Sequence, residues 1–475
     1  MADHDTRVRF MSPSGSLVTV GVDIGTTSVK ALAVDEKGQV VARSRVPHSI
    51  VAPEPDVLRH DAKKAWRAGP RKAFEQVTAQ LQAEGNALAG VAVASMVPSM
   101  TAVNKQGVPV LPGLLYGDRE GRPAEDAAAE VVVPLGAMPD AEGFLRWAST
   151  EVPDARGYWP CQAVATNAIS GLPAIDTGVT ASLGMLHTHQ GWNTELLGSM
   201  GIAEKQMPMV VPMGEAAGTL PGSDVVITGG TIDAFCDQIV SGAIHKGDVL
   251  VIFGATLICW VICDEWLTVE GLISYPSTTP DRFLVGGPSN AGALFVDWAR
   301  HLLRDTPRPG PKREQLEPRL GTPGRVPVWL PYVRGERTPF EDHTLRSNIY
   351  GLDIGSGAEA MERAAYEASG FVVRRMIERA GVKPTRIVAS GGGSRVTAWM
   401  AAVADATNLP VETVAVPEGA ALGAAYFARL AAGLESSLDD STRWSAVGRT
   451  IEPDPAWVRA ADARFEKFSD LGTGA

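Results

Sequence analysis

A short polar segment between two apolar runs is the feature that most restricts how this chain can fold. Residues 17–34 read LVTVGVDIGTTSVKALAV, in which runs rich in β-branched residues flank the polar turn DIGTTS at residues 23–28. Apolar β-branched runs of this length are typical of buried strands, and the turn between them predicts an antiparallel hairpin. We therefore expect a sheet built around this hairpin.

The residues of this turn have the chemistry of a phosphate-binding site. Gly25 lets the backbone approach a ligand, and the hydroxyls of Thr26 and Thr27 can join backbone N–H groups in binding phosphate oxygens. Asp23, at the end of the strand, could hold Mg²⁺ through water, since Mg²⁺ favours carboxylates and phosphate oxygens. An ordinary hairpin turn, with Gly and Thr chosen for geometry, explains the segment alone equally well.

Length, charge and cysteine content narrow the class of protein. A chain of 475 residues exceeds what one hydrophobic core normally serves, which predicts two domains. The net charge of −11 argues against nucleic acid or an anionic membrane as a partner. The four cysteines do not make a disulfide framework, so a reducing cytoplasm is the expected location. Cys259 and Cys263 lie in a strand-like run without a second ligand pair, so a zinc site is not expected.

The remaining pattern predicts alternating strands and helices. Residues 1–16 are polar, lack the apolar core of a signal peptide and are expected to form a flexible leader. Residues 249–263 are too short for a membrane span and predict two adjacent strands. Hydrophobic periodicity predicts helices at about 61–83, 233–244, 291–303, 358–380, 396–407 and 419–432, whereas residues 121–220 permit only scattered helices.

The order of elements repeats along the chain. A second apolar hairpin, with the turn FGAT at residues 253–256, opens the second half as DIGTTS opens the first. Helices on both faces of a mixed sheet would bury it in each half. The repetition predicts two similar α/β domains, with a nucleotide bound between the two hairpin turns.

Several separated motifs, taken together and in order, carry a family resemblance. They are VDIGTTSVKA (22–31), TGGTIDAF (228–235), FGAT (253–256), LPYVRGERTPF (330–340), SGGGSRVTAWMAAVADATNLPV (390–411) and EGAALGAAYFA (418–428). The chain resembles the FGGY family of carbohydrate kinases, within the actin-like ATPase superfamily, over nearly all of residues 17–433.

The resemblance implies an architecture and ligands. The fold class is α/β, with two actin-like (ribonuclease H-like) ATPase domains and a cleft between them. An N-terminal FGGY domain at 17–243 would bind sugar and carry the first phosphate motif. A nucleotide-binding C-terminal FGGY domain at 244–440 and a C-terminal tail at 441–475 would follow. The implied ligands are ATP, Mg²⁺ and a small sugar, and the sequence leaves a homodimer open.

The resemblance also places the catalytic residue at Asp233. A sugar hydroxyl is a poor nucleophile at neutral pH, so phosphoryl transfer from ATP is assisted by a carboxylate that accepts its proton. Asp233 could instead cap the helix that starts there, and both roles could coexist. Asp237, one turn later, is a rival carboxylate that the family motif does not favour.

Glycine-rich turns of the second half are expected to bind the nucleotide. SGGGSR follows a strand and precedes a helix, and in the family this turn approaches the adenosine part of ATP. The candidates in the two turns are Gly254, Thr256, Gly391, Gly392, Gly393 and Ser394. Ala255 departs from the family, because many relatives have a phosphate-contacting Thr there, so the contact could shift to Thr256 or weaken.

The sugar site is the second departure from better-known members. Xylulokinases carry a Met-His-Gly element whose matching positions here are 97–99, so the histidine is absent and Pro98 is the expected contact. In YGDREGR (116–122), Asp118 can accept hydrogen bonds from adjacent sugar hydroxyls, and Arg119 or Arg122 could donate another. A solvated charged turn is the alternative for this segment.

Two further groups are assigned no chemistry. Lys30 could contact phosphate, but a strand lysine that faces solvent is the preferred interpretation. Glu336 and Arg337, in the RGERTP segment, resemble a structural marker of the family.

The sequence thus predicts an ATP-dependent sugar kinase. A ketopentose such as xylulose is the leading acceptor by resemblance alone, with other ketoses and polyols (ribulose, glycerol, erythritol) as alternatives. The altered FGAT turn and the missing histidine motivate a competing hypothesis, a sugar-responsive ATP-binding sensor with little turnover. A chaperone-like member of the superfamily is disfavoured.

Overall fold

The computed structural model of the protein describes residues 17–121, 140–278, 281–303 and 319–472. The α/β class is confirmed, since strands and helices alternate and build two large mixed sheets. The chain divides into two compact units. The first unit extends to Val240 and includes Gly419–Trp444, and the second consists of Ser241–Glu418 and the segment from Ser445 onward.

Sixteen strands belong to the first unit and nine to the second, among the described residues. The strands of the first unit are β1 (Leu17–Ile24), β2 (Ser28–Val34), β3 (Val40–Pro47), β4 (Ile50–Val51), β5 (Arg59–His60), β6 (Ala87–Ser95), β7 (Ser99–Val103), β8 (Gly113–Leu115), β9 (Gly157–Trp159), β10 (Ala174–Asp176), β11 (His187–Thr188), β12 (Gly191–Trp192), β13 (Met209–Val211), β14 (Ala216–Thr219), β15 (Val226–Thr228) and β16 (Thr231–Ile232). The strands of the second unit are β17 (Asp248–Phe253), β18 (Leu257–Cys263), β19 (Ile273–Pro276), β20 (Phe283–Ser289), β21 (Val328–Leu330), β22 (Asn348–Tyr350), β23 (Arg386–Ser390), β24 (Val411–Val414) and β25 (Val447–Ile451).

The helices of the described residues vary from one turn to more than six. They are α1 (Gly69–Glu84), α2 (Asp140–Glu151), α3 (Cys161–Ser170), α4 (Thr177–Ala181), α5 (Thr194–Ser199), α6 (Asp233–Ser241), α7 (Ala293–Leu302), α8 (Ala358–Ala380), α9 (Thr397–Thr407), α10 (Gly419–Ala431) and α11 (Pro455–Gly472). A π-helical turn at Lys63–Ala68 leads into α1. No helix of the described ranges is long and apolar enough to cross a membrane.

The main sheet of the first unit confirms the predicted hairpin. Its strand order is β14-β15-β6-β1-β2-β3, and β16 also pairs with β6. Strand β1 is antiparallel to β2 and parallel to β6, so the carboxyl ends of β1 and β6 lie at the same edge. Every residue of β1 after Leu17 is buried, as the run of β-branched residues predicts.

Helix α10 packs directly on this sheet because glycines remove side chains from the contact. A Cβ added to Gly21 of β1 would lie 1.9 Å from the carbonyl oxygen of Ala421 in α10. A Cβ at Gly90 of β6 would lie 2.8 Å from the carbonyl oxygen of Ala428. The predicted boundary between domains at 243–244 therefore leaves out a helix that completes the first unit, since α10 covers β1 and β6.

The main sheet of the second unit has the order β19-β20-β18-β17-β23-β24-β25. Its hairpin, β17–β18, confirms the predicted strand pair at residues 249–263, and β17 runs parallel to β23. Helices α8, α9 and α11 contribute buried residues to one hydrophobic core with this sheet. The four cysteines of the chain are all free and buried.

Two regions differ from what the sequence predicts. The helix expected at 233–244 ends at Ser241, because Gly242 has a φ of +75° and stops it. Residues 441–475, expected only as a tail, contain β25 and the eighteen-residue helix α11. The predicted leader, residues 1–16, lies outside the described residues.

Candidate functional site

The first hairpin brings a carboxylate, an ammonium group and a tight turn together. Asp23 of β1 is paired with Lys30 of β2 in the strand register, and Lys30 Nζ lies 3.0 Å from Asp23 Oδ2. A Cβ added to Gly25 would lie 3.9 Å from Asp23 Oδ2 and 4.0 Å from Lys30 Nζ, so both groups adjoin the turn. The prediction that Lys30 faces solvent is wrong, because the buried carboxylate of Asp23 holds it.

Asp233 lies at the same sheet edge. It follows β16, whose Ile232 pairs with Ser95 of β6, and Ser95 also pairs with Ile24 of β1. The backbone N–H of Ala234 donates to Asp233 Oδ1 at 2.8 Å. Burial, with a smaller contribution from the negative charge of Asp23, raises the pKa of Asp233 to about 7, while the charge of Lys30 opposes this change. The three ionic groups therefore influence one another electrostatically.

Asp233 is better placed for chemistry than the rival carboxylate. Asp237 is 5% exposed, within the interior of α6, whereas Asp233 keeps partial contact with solvent. A proton acceptor needs both a raised affinity for protons and access to the acceptor hydroxyl. The geometry favours Asp233, at the first position of the helix.

Asp23 and Asp233 are suited to a divalent cation held partly through water. Burial is the main cause of the raised pKa of Asp233 and repulsion from Asp23 the second, and a bound cation would relieve that repulsion. Mg²⁺ is commonly bound by one or two carboxylates together with waters and substrate phosphates. The described part of the chain contains no group of three or more His, Cys, Asp or Glu that could form an all-protein metal site.

Asp118 is buried and already has several donors. Its carboxylate accepts hydrogen bonds from Arg59 Nε at 2.8 Å, Arg59 Nη2 at 3.1 Å and the backbone N–H of Leu58 at 2.9 Å. The backbone N–H of Glu120 adds a fourth at 3.2 Å. These contacts occupy most of the acceptor capacity of a carboxylate. Asp118 therefore holds Arg59 in place, and direct sugar binding by Asp118 stays a prediction.

The other predicted sugar contacts have different surroundings. Arg119 is a surface residue whose Nη1 pairs with Glu54 Oε2 at 2.7 Å. Pro98 is buried in the connection between β6 and β7. Gln162 anchors that region, because its amide donates to the backbone oxygens of Ser95 and Met96 at 3.0 and 3.3 Å. Arg122 lies outside the described residues.

The first unit has a second sheet, with the strand order β4-β5-β8-β7-β9. Sequence reasoning missed the contacts of the first turn with residues in and next to this second sheet. The carbonyl of Thr26 contacts His60 Nε2 at 2.8 Å, and the hydroxyl of Thr26 lies 3.3 Å from that of Tyr116. The spacing of the histidine and tryptophan in RHDAKKAW is a weak signal, because a buried histidine usually reflects core packing.

In the second unit, the two glycine-bearing turns follow adjacent strands. Ile252 of β17 pairs with Ser390 of β23, so the turns that begin at Gly254 and Gly391 lie at one edge of the sheet. Gly391 has a φ of +84°, and a Cβ there would lie 2.9 Å from the carbonyl oxygen of Phe253. The carbonyls of Gly254 and Ala255 accept hydrogen bonds from the first two residues of α7, both at 2.9 Å.

The members of these turns differ in exposure and role. Gly392 has open space where a Cβ would be, whereas a Cβ at Gly393 would meet Trp399 and Phe253. Ser394 is buried, and its hydroxyl donates to the carbonyl of Gly391 at 2.7 Å, which stabilises the turn. Thr256 is 9% exposed at the start of β18. Nucleotide binding by these residues stays a prediction.

The RGERTP segment is structural. Glu336 is buried and accepts hydrogen bonds from Ser289 Oγ at 2.7 Å and from the backbone N–H groups of Asn290 and Arg337 at 2.9 and 2.7 Å. Burial raises the pKa of Glu336 to about 7, which these donors partly offset. The segment thus ties the end of β20 to the loop after β21.

Two family models match the chain. The N-terminal domain model of the FGGY family of carbohydrate kinases matches residues 18–130, and the C-terminal domain model of the same family matches residues 266–432. Together they cover more than half of the sequence, and they include the first hairpin and the SGGGSR turn.

Individual relatives are distant but cover almost the full length. The chain is 23% identical to the xylulose kinase of Escherichia coli (strain K12), over 95% of this chain and 98% of that protein. It is 26% identical to the glycerol kinase of Albidiferax ferrireducens, over 93% of this chain and 96% of that protein. A solved structure described as a xyloylose kinase from Brucella ovis superposes with a TM-score of 0.77 at 26% identity, covering 96% and 98% of the two chains.

Proposed function

Because this chain belongs to the FGGY family of carbohydrate kinases and is therefore an ATP-dependent phosphotransferase with an alcohol acceptor, we propose that it phosphorylates a ketopentose such as xylulose. The single observation that carries the mechanism is the position of Asp233, at the start of α6 and at the sheet edge that carries the Asp23–Lys30 pair, where burial raises its pKa to about 7. A carboxyl of that proton affinity is matched to proton transfer at neutral pH.

Asp233 acts as the general base. As the acceptor hydroxyl attacks the γ-phosphorus, a new O–P bond forms, the bond to the oxygen bridging β- and γ-phosphorus breaks, and ADP leaves. The hydroxyl proton passes to the Asp233 carboxylate. Lys30 and Asp23 set the local charge, because Lys30 favours the ionised form of Asp233 and Asp23 opposes it.

Each unit contributes nucleotide contacts in this proposal. Gly25, Thr26 and Thr27 bind phosphate oxygens in the first unit, with Asp23 toward Mg²⁺. Gly254 and Thr256 bind phosphate in the second, and the turn at residues 391–394 binds the adenosine part. When bound, Mg²⁺ neutralises phosphate charge as the γ-phosphoryl group transfers.

The acceptor class is the finer part of the proposal. The similarity to a xylulose kinase supports a ketopentose, and the similarity to a glycerol kinase keeps polyols as the next candidates. In the first unit, Pro98 and the Arg59–Asp118 pair are the proposed sugar-site elements, with Arg119 as a further donor. The four buried free cysteines support a reducing, cytoplasmic location.

The experiment is a coupled ADP-release assay over pentuloses, hexuloses, polyols and D-gluconate. We expect xylulose to give the highest kcat/KM, and replacement of Asp233 by Ala to lower the rate on that substrate roughly 10²- to 10⁴-fold. A polyol or sugar acid as the best substrate would overturn the acceptor assignment. Full activity after replacement of Asp233 would overturn the mechanism.

The competing hypothesis, a sensor with little turnover, predicts a different result in the same ADP-release assay. A sensor would bind ATP and sugar without sugar-stimulated ADP release from any compound of the panel. Asp233 argues against it, because binding alone does not require a base with a raised pKa. Asp462→Ala is a suitable control, because Asp462 is a half-exposed surface carboxylate that belongs to no proposed site, and its replacement should leave the chemical step unchanged.

A further inference from the structure

His60 is buried, and both of its ring nitrogens have partners. Its residue exposure is 0%. Trp66 Nε1 donates to His60 Nδ1 at 2.9 Å, and His60 Nε2 lies 2.8 Å from the carbonyl oxygen of Thr26. His48 packs edge-on against the imidazole, with ring centroids 4.6 Å apart. These contacts join the π-helical turn before α1 to the turn of the first hairpin.

The partners of His60 determine its tautomer. Because an indole N–H can only donate, Nδ1 must be the acceptor and Nε2 must carry the hydrogen. Burial lowers the pKa of His60 to about 4, so the imidazole is neutral at physiological pH. His60 is therefore a constant hydrogen-bond donor to the carbonyl of Thr26.

A donor at this carbonyl also orients the next amide. The peptide unit is planar and trans, so the N–H of Thr27 points opposite to the carbonyl of Thr26. From this geometry we propose that His60 is a positioning residue for nucleotide binding: by holding the Thr26 carbonyl toward the protein interior, it directs the Thr27 N–H outward to bind a nucleotide phosphate. The inference rests on the proposed function, because it assigns the first turn to the phosphates of ATP.

Neighbouring contacts restrict the rest of the turn. The backbone N–H of His48 donates to the carbonyl of Thr27 at 3.0 Å, which fixes the following peptide plane as well. The Gly25 N–H donates to the carbonyl of Ser28 at 3.1 Å. Amides that are already oriented bind an anion without the cost of ordering the loop. The expected contribution of His60 is therefore to affinity for the nucleotide more than to the chemical step.

The test compares three replacements in the full-length protein. His60→Leu removes the donor, His60→Gln keeps an N–H donor, and Trp66→Phe removes the group that selects the tautomer. Calorimetry with the non-hydrolysable analogue AMP-PNP in the presence of Mg²⁺ gives Kd, and thermal unfolding gives the stability of each variant. We expect Leu to weaken binding about tenfold or more, equivalent to about 1.4 kcal/mol, Gln to restore most of it, and Phe to lie between.

A matched control separates positioning from general destabilisation. Thr166 is fully buried in the same unit, and its hydroxyl bonds only to backbone groups of Ala163 and Ala174 in the described residues. Thr166→Val should lower stability and leave the Kd for AMP-PNP unchanged. Equal Kd values for wild type and His60→Leu, or a His60→Gln variant as weak as His60→Leu, would overturn the positioning role. If the wild-type protein binds no AMP-PNP, the proposed function fails together with this inference. That result differs from the two outcomes above, in which the wild-type protein binds the nucleotide and only the role of His60 fails.

Discussion

Asp23 and Lys30 face each other across the first hairpin, with 3.0 Å between Oδ2 and Nζ. The pair places one negative and one positive charge beside the turn at Gly25, and both charges act on Asp233 in opposite directions. The proton affinity of the candidate base is therefore adjustable through residues that need not touch the acceptor.

Replacing Lys30 should change the pH dependence of catalysis. Lys30→Met removes the charge that favours ionised Asp233, so the pKa of Asp233 should rise above its present value of about 7. The acidic limb of the kcat/KM profile should move to higher pH by roughly one unit. Lys30→Arg keeps the charge and should leave the limb in place. An unmoved limb in Lys30→Met would exclude electrostatic coupling between these groups.

Replacing Asp233 should have opposite effects on activity and stability. Asp233→Asn should lower kcat about 10²- to 10⁴-fold. The folded-state pKa of about 7 exceeds the unfolded value near 4, so this carboxyl makes wild type less stable as pH rises from about 4 to 7. Asn does not titrate, and the variant should gain stability relative to wild type across that window. Denaturant unfolding of both proteins at pH 5 and pH 8 measures the change in the free energy of unfolding. A stability difference between Asp233→Asn and wild type that is the same at both pH values would contradict the prediction.

Two adjacent glycines offer a matched pair in the SGGGSR turn. Gly391→Ala should destabilise the protein by about 1–3 kcal/mol, because its φ of +84° disfavours any side chain and a Cβ would crowd Phe253. Gly392→Ala meets open space and should cost little. Urea unfolding compares the two variants, and the Kd for AMP-PNP should weaken more in Gly391→Ala. Similar values for both variants would argue against a strained turn.

A buried ionic network in the second unit should matter for stability. Asp405 has a fully buried side chain and accepts hydrogen bonds from Arg363 Nη2 at 2.9 Å and from Arg319 Nε at 3.0 Å. The N–H of Asp454, just before α11, adds a third at 2.8 Å. Asp405→Ala removes one acceptor from the buried guanidinium of Arg363, which keeps Glu367, and one from the part-buried Arg319, and should cost about 3–5 kcal/mol.

The surface offers a control for that replacement. The carboxylate of Asp462 is half-exposed and lies 2.7 Å from Arg374 Nη1. Asp462→Ala should therefore lower the free energy of unfolding by less than about 1 kcal/mol. Denaturant unfolding of both variants provides the comparison. A loss of similar size for the two aspartates would show that Asp405 does not anchor α11.

Much of the fold follows from local patterns in the sequence. The hairpins at β1–β2 and β17–β18 come from apolar β-branched runs around short turns, and α8 spans the predicted residues 358–380. These elements are strongly periodic or strongly apolar, so local preference and tertiary packing agree. The association of α10 with the first unit depends on contacts more than 300 residues apart in sequence, as between Thr19 and Ala425 at 2.8 Å. No local pattern indicates such a contact.

The sequence predicts which residues belong to the candidate site better than it predicts the contacts that those residues make. The motif around Asp233 and the turn at Gly25 are visible as sequence. The bidentate contact of Arg59 with Asp118 and the contact of His60 with Thr26 depend on how β5 pairs with β8 in the second sheet. Short strands of two or three residues carry little periodicity, so sequence reasoning could not place them.

The glycine contacts beneath α10 have a practical consequence for dissecting the enzyme. A fragment that stops at Val240 would lack Gly419–Trp444 and leave the backbone of β1 and β6 open at Gly21 and Gly90. Such a fragment should misfold or associate with other copies through the uncovered strands. A soluble half-enzyme would instead require α10 to be joined back to the first 240 residues by an engineered linker.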